Sequence, residues 1–248
     1  MLLAVAPGIF LMAYFFKRDR HEPEPPKKVI KVMFWGALCA IPAVIMELVA
    51  MAAVPTIDGG LVDLAVQMFL IVALSEELCK YWVVKYKIYH DPELDEPFDG
   101  IVYCVAASLG FAIFENILYV IEGGFVVGLL RAVMSIPAHA LFAVFMGYYL
   151  GLSKFAPDEA TRRSLLRKGL FVAVFSHGLY DFVLSVQIPM VQLTVLPLMG
   201  VFWAVGLAQV RKHLLISPHT AQQPAANLQQ VGDALGQRVG GERLEQDS

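Results

Sequence analysis

Charge is scarce in this chain: Asp, Glu, Lys and Arg together make up 17% of its 248 residues. What charge there is gathers in short segments between apolar runs, which leaves no room for a sizeable soluble domain. Cysteine is sparse too. Cys39, Cys79 and Cys104 are odd in number, lie in apolar segments and form no Cys-x-x-Cys pair, which argues against a disulfide framework and a thiolate metal site. No Lys or Arg precedes the first apolar run, so it lacks the basic leader of a signal peptide and reads as a first span. There is no Gly-x-Ser-x-Gly elbow and no His-Glu-x-x-His, which sets those hydrolase chemistries aside. No span supplies the Gly-x-Gly-Asp that should accompany Tyr180-Asp181 in an aspartyl intramembrane protease, and no internal repeat is evident.

What remains is apolar. Hydrophobic residues are 58% of the chain and mean hydropathy is +0.62, the balance of an all-α polytopic membrane bundle. The length allows roughly seven transmembrane helices of about 20 residues each. The apolar runs place them near 1–16, 32–54, 61–86, 100–121, 125–152, 168–186 and 191–210. Pro23, Pro25 and Pro26 break any helix in the cationic loop between the first two. Past Arg211 the sequence is rich in Gln, Ala, Gly and acidic residues without apolar periodicity, so a transmembrane domain over 1–212 is expected to give way to a disordered tail over 213–248. Lys and Arg fall in alternate loops: six before the second span, then Lys85 and Lys87, then a group from Lys154 to Lys168, then Arg211 and Lys212. The positive-inside rule puts the amino terminus outside and the tail in the cytoplasm.

Against that background the most costly stretch is 73–82, where Glu76, Glu77 and Lys80 sit inside an apolar run. Ionisable side chains at bilayer depth need partners or a wet cavity, so the cluster is a functional hypothesis by default. On a helix Lys80 lies within reach of both glutamates, and the expectation is that it neutralises Glu77 and leaves Glu76 free. Further along, Glu115 with Asn116, Arg131, His139 after Pro137, and His177 with Asp181 also fall within spans. At about 1.5 Å of rise per residue, Glu76 is ~22 Å and His139 ~21 Å from the outer starts of their spans, and His177 ~14 Å from an inner start. Those levels match near the middle of a core ~30 Å thick. Glu115 comes out about two turns nearer the outside.

A carboxylate can take a proton from water, imidazoles can relay it or hold an oxyanion, and a carboxylate with two His can instead hold a metal that acidifies water. Either route hydrolyses an amide. His177 and Asp181, four apart, let the carboxylate orient the imidazole.

Glu76-Glu77-x-x-Lys80, Phe114-Glu115-Asn116-x-x-Tyr119, Pro137-x-His139 and His177-x-x-x-Asp181, in this order on successive spans, resemble the PrsW family of intramembrane proteases, which is similar to the CAAX prenyl protease and bacteriocin-processing group. The resemblance covers about 1–212. It implies a bacterial plasma-membrane hydrolase that cleaves membrane-anchored proteins, anti-sigma factors being the substrate class the family suggests, with lipid but no nucleic acid as a partner. It implies catalytic roles for Glu76, Glu77, His139 and His177 and supporting roles for Lys80, Glu115, Asn116 and Asp181. The family has been classed as metallopeptidases and its relatives as glutamate-dependent, so zinc stays open, with Glu76, Glu115, His139 and His177 as the candidate ligands.

Each residue also has a structural reading. Glu77 with Lys80 is a neutralising pair, Arg131 pairs with a carboxylate or snorkels to the interface, and Glu47 is expected to be interhelical glue. Gly124-x-x-x-Gly128 and Gly147-x-x-x-Gly151 read as tight packing. A proton-coupled transporter would also carry Glu, His and Lys in its spans, and a catalytically inactive scaffold would keep the fold. The odd span count and the lack of an inverted repeat speak against the transporter.

Overall fold

The computed structural model describes residues 2–18, 23–57 and 59–216. Every regular element among them is helical: α1 (Leu2–Arg18), α2 (Pro26–Leu38), α3 (Ala40–Ala53), α4 (Leu61–Ala65), a π-helical stretch (Val66–Ala73), α5 (Leu74–Lys87), α6 (Pro97–Val133), α7 (Ser135–Lys154), α8 (Glu159–Ser185), α9 (Pro189–Gln192) and α10 (Val195–Ile216). Among the described residues three stretches are long and apolar enough to cross a membrane by length and composition, Pro26–Ala53, Pro97–Lys154 and Pro189–Ile216. α1 has only 17 residues, and α5 and α8 are made less apolar by the charges they carry. α10 runs past the boundary expected at 212 to Ile216, with His213 buried and stacked on Tyr148 at 4.4 Å. The remainder of the expected tail, 217–248, lies outside the described residues.

Proline and glycine set the breaks. Pro42 and Pro137 cannot donate to the carbonyls of Leu38 and Val133, and the chain bends one turn before each proline, at Cys39 and at Met134. Pro7 likewise frees the Leu3 carbonyl inside α1. Asn116 Nδ2 reaches it at 3.4 Å and the Ala4 carbonyl at 3.3 Å, so the bond lost in α1 becomes a tie to α6. Outside the apolar stretches the helix starts are capped in the ordinary way. Asp158 accepts the Thr161 amide at 2.8 Å, which caps α8 and holds the Asp158 carboxyl below the usual carboxylate range.

The sequence reading took Gly124 as part of a packing motif, and the structure corrects this. Gly124 has φ 73° and ψ −160° and interrupts α6, reversing the chain so that 125–154 returns antiparallel to 97–123. Along this hairpin Arg131 meets Glu115 at 2.8 Å and the Ser108 hydroxyl donates to the His139 carbonyl at 2.9 Å. Further inward, Gly151 lies against Pro97, where an added Cβ would stand 2.0 Å from the Pro97 carbonyl oxygen. The Gly147-x-x-x-Gly151 reading of tight packing therefore agrees with the geometry.

Residues 97–112 of α6 are all buried, which makes that half of the helix the axis of the bundle. α1 and α2 pack on one side of it, α5 and α7 on others, and α8 and α10 lie against α7. The outer faces carry the exposed apolar side chains, among them Phe10, Ile45, Leu48, Phe125 and Phe171, as a lipid-facing surface requires. α2 is seated on α6 as closely as α7 is, because a Cβ on Gly110 would fall 1.9 Å from the Met33 carbonyl oxygen and one on Gly36 would fall 2.0 Å from that of Ala107.

Backbone-to-backbone contact of this kind cannot be relieved by a rotamer change. Gly110→Ala is expected to lower thermal stability in detergent by about 1–3 kcal/mol, the usual range for overpacking. Gly200→Ala, which meets open space, is expected to leave it unchanged or slightly raised. Equal melting temperatures for the two variants would contradict the close packing of α2 on α6.

Candidate active site

The π-helical stretch directly precedes the two glutamates, which open the first turn of α5. An extra residue in a helical turn rotates everything beyond it, and such stretches recur where side chains must be aimed. α8 reaches this segment closely, since a Cβ on Gly178 would lie 2.5 Å from Phe69 Cδ1. The small residue next to His177 thus lets its helix close on the one that carries Glu76 and Glu77.

Four residues on three helices come together: Glu76 and Glu77 on α5, His139 on α7 and His177 on α8 each offer a ligand-type atom, and those atoms all lie within 4.8 Å of one another. All four are buried. Glu77 Oε1 faces His177 Nδ1 at 3.0 Å, and Asp181 Oδ2 faces His177 Nε2 at 3.1 Å, so both ring nitrogens have a carboxylate acceptor. Phe142 stacks on that ring at 4.8 Å and fixes its plane. His139 Nδ1 lies 3.2 Å from Lys80 Nζ, and His139 Nε2 lies 3.2 Å from Glu115 Oε2. An ammonium only donates, so in this arrangement Nδ1 of His139 accepts and its Nε2–H donates to Glu115.

Lys80 departs from expectation. It does not choose Glu77 and leave Glu76 free; its Nζ donates to Glu76 Oε2 at 2.9 Å and to Glu77 Oε1 at 2.8 Å. Spacing puts both partners in reach, but it is the buried position, away from bulk solvent, that makes Lys80 use both. The two glutamates still differ. Glu76 lines a cavity of about 730 Å³ together with His139, His177, Glu115 and Asp181, whereas Glu77 lies behind that wall.

Glu115, which depth arithmetic placed two turns too far out, does sit on α6 well beyond Ser108, the residue level with His139. Side-chain length closes the gap, and Glu115 is held there by Arg131 at 2.8 Å. It lies outside the group of four and touches the far nitrogen of His139. Asn116 is not at the centre. Its side-chain oxygen accepts from Arg131 Nε at 3.2 Å while its nitrogen ties α6 to α1. Arg131, read from sequence as structural, does pair with a carboxylate, and it also lies over the Tyr119 ring at 3.8 Å and lines the cavity. Ser108, Phe111 and Phe142 also contact the two histidines, and nothing in the sequence marks a serine or phenylalanine in an apolar helix as facing a histidine on another.

The donor set fits a divalent cation. Two imidazoles and two carboxylates are the ligand types zinc takes. Glu77 Oε2 is buried with no hydrogen-bond partner. Glu76, Glu77, Glu115 and Asp181 outnumber the fixed cations Lys80 and Arg131, which leaves a negative surplus for an ion to neutralise.

The family described as "PrsW family intramembrane metalloprotease" matches residues 24–208, a range that contains every residue of the site. The chain is 40% identical over 180 residues to Protease PrsW of Geobacillus kaustophilus, covering 73% of this chain and 77% of that one. It is 35% identical over 208 residues to Protease PrsW of Bacillus subtilis, covering 84% and 92%, and 34% identical over 212 residues to that of Oceanobacillus iheyensis, covering 84% and 93%. No solved structure matches the chain. With the family match spanning most of the sequence and relatives at this identity over most of their own length, the chain belongs to the PrsW family of intramembrane metalloproteases.

Proposed function

We propose that the chain is an intramembrane endopeptidase that hydrolyses peptide bonds of membrane-anchored proteins, of the anti-sigma-factor type, with Glu76 as its general base. The observation that carries this reading is the meeting of Glu76, Glu77, His139 and His177 within 4.8 Å beside a cavity large enough for a peptide segment. In this reading the chain crosses the plasma membrane seven times: by α1, by α2 with α3, by α4 through α5, by the two arms of the Gly124 hairpin, by α8, and by α10. The amino terminus is outside and the end of α10 is cytoplasmic, which the alternation of Lys and Arg between loops supports.

Glu76 is preferred to Glu77 because it faces the cavity. It accepts a proton from the attacking water and returns it to the leaving amine. Lys80 keeps both carboxylates in place. Asp181 and Glu77 hold the His177 ring from its two nitrogens, and Glu115 does so for His139 from one side. The imidazoles supply the positive end for the oxyanion, either as N–H donors or as holders of an ion. A divalent ion of the zinc class would take Glu77, His139 and His177 as ligands only by replacing the Lys80 bond to His139 and the Glu77 bond to His177, and would then supply Lewis-acid polarisation of the carbonyl and a more acidic water.

One observation favours a metal-free version of the same chemistry. Lys80 Nζ stands 2.8–3.2 Å from Glu77, Glu76 and His139, which already places a positive charge among three of the four donors.

The test is cleavage of tagged single-span peptides by the purified protein. Glu76→Gln keeps the shape and loses the base, so the rate should fall by at least ~10². Asp181→Asn should cost less, since its role is to orient a ring. If Glu77→Gln is dead while Glu76→Gln cleaves normally, the base is Glu77; normal cleavage by both rules out this hydrolase mechanism. Chelator treatment is expected to abolish cleavage and added zinc to restore it. Chelator-resistant cleavage that still requires Glu76 would select the metal-free version. Lys80→Met, which strands two buried carboxylates, should lower stability by about 3–5 kcal/mol, read as lost folded yield in detergent.

A further inference from the structure

Glu47 is the one ionisable residue of α3, and the glue role expected for it requires a partner on another helix. Among the described residues it makes no hydrogen bond or ion pair. Instead it lines the same cavity as Glu76 and His177. α3 is also held loosely. Its buried residues are Ala40 and Ala43, while Val44, Ile45, Leu48 and Val49 are exposed, so Glu47 is the inward-facing polar group of a helix that contributes little else to the core.

A carboxylate within an apolar helix is costly unless something neutralises it. Here Glu47 shares its cavity with Glu76, Glu115 and Asp181, and the cations Lys80 and Arg131 are already engaged with other carboxylates. Neither acid nor base chemistry requires it, since it stands away from the group of four. What is missing from its environment is a donor, and the cavity is where one would come from.

We infer that Glu47 is a specificity-determining residue that pairs with a cationic side chain, Lys or Arg, carried by the substrate's membrane segment close to the scissile bond. This rests on the cavity being the peptide-binding site of the proposed hydrolase. A long basic side chain suits the place: its methylene stem lies along the apolar wall formed by Val44, Met51, Met68 and Val72 while its charged head reaches the carboxylate. The substrate cation then supplies the partner that the protein withholds. Substrates without such a residue leave the carboxylate unpaired, and those with an acidic residue there meet like charge.

The experiment uses the full chain in detergent and a set of single-span peptides identical except for one position within a turn of the cleavage site, occupied by Lys, Gln or Glu. The wild type is expected to cleave the Lys peptide at least about tenfold faster than the Glu peptide, the order contributed by a hydrogen bond between charged groups. Glu47→Gln should bring that ratio close to one, and Glu47→Lys should invert it, an outcome that a merely misfolded variant cannot give. Cleavage by the wild type with a ratio unaffected by either substitution overturns the role of Glu47 alone. Equal slowing of all three peptides by Glu47→Gln does so as well, since that is the mark of a structural residue. If the wild type cleaves none of the peptides while remaining folded, the hydrolase reading itself has failed and this inference falls with it.

Discussion

An ammonium group buried away from bulk solvent must find acceptors for its protons inside the protein, and the centre of this molecule is arranged to provide them for Lys80. Two carboxylates and an imidazole surround its Nζ, and the Phe111 ring lies 4.1 Å beneath. The arrangement is mutual, since two glutamates side by side at this depth would repel each other without a cation between them. Everything else in the site is placed relative to this group. His139 presents one nitrogen to Lys80 and the other to Glu115, His177 presents one to Glu77 and the other to Asp181, and each outer carboxylate is itself at the cavity wall. The polar residues thus form one connected set, which is the condition under which buried polar groups are tolerated in a hydrocarbon environment.

How far this could be read from sequence follows from which quantities a single chain encodes. Depth is one of them. Helices rise by a fixed amount per residue, so Glu76, His139 and His177 could be placed at one level from their distances to the span ends, and the structure brings them together. Glu115 shows the limit of the method, because its backbone is offset as calculated and its side chain and the Arg131 pair close the distance. Direction around a helix is harder to read. Glu47 looked like glue because a lone polar residue in a span usually is, yet it faces a cavity instead of a neighbour. For Lys80, spacing says which contacts are in reach, not how many protons burial obliges it to satisfy. Gly124 and Gly128 matched a packing spacing, and only the backbone angle at Gly124 shows that a turn stands there.

The site also draws on a helix that lends it no reacting group. Pro7 frees a carbonyl in α1, Asn116 binds it, Arg131 binds Asn116, Glu115 binds Arg131, and His139 binds Glu115. Each link is a hydrogen bond or ion pair that compensates the one before it, beginning from a donor that proline does not have. The orientation of an imidazole at the centre is in this way tied to the seating of α1 against α6. A proline in a membrane helix is often described as a point of flexibility, but here its vacancy is filled by a neighbour and serves as an attachment.

The π-helical stretch Val66–Ala73 has a comparable double character. None of its side chains is charged, and most of them could be exchanged for other apolar residues with modest loss. Their number could not change as freely. Each residue turns the following helix by about 100°, so the segment acts as a phase setter for Glu76 and Glu77. Removing one residue would swing both carboxylates off the face that meets α7 and α8 and would present an apolar side chain to the two histidines. What is constrained between α4 and α5 is accordingly a count, a property that substitution profiles overlook and that insertions and deletions expose.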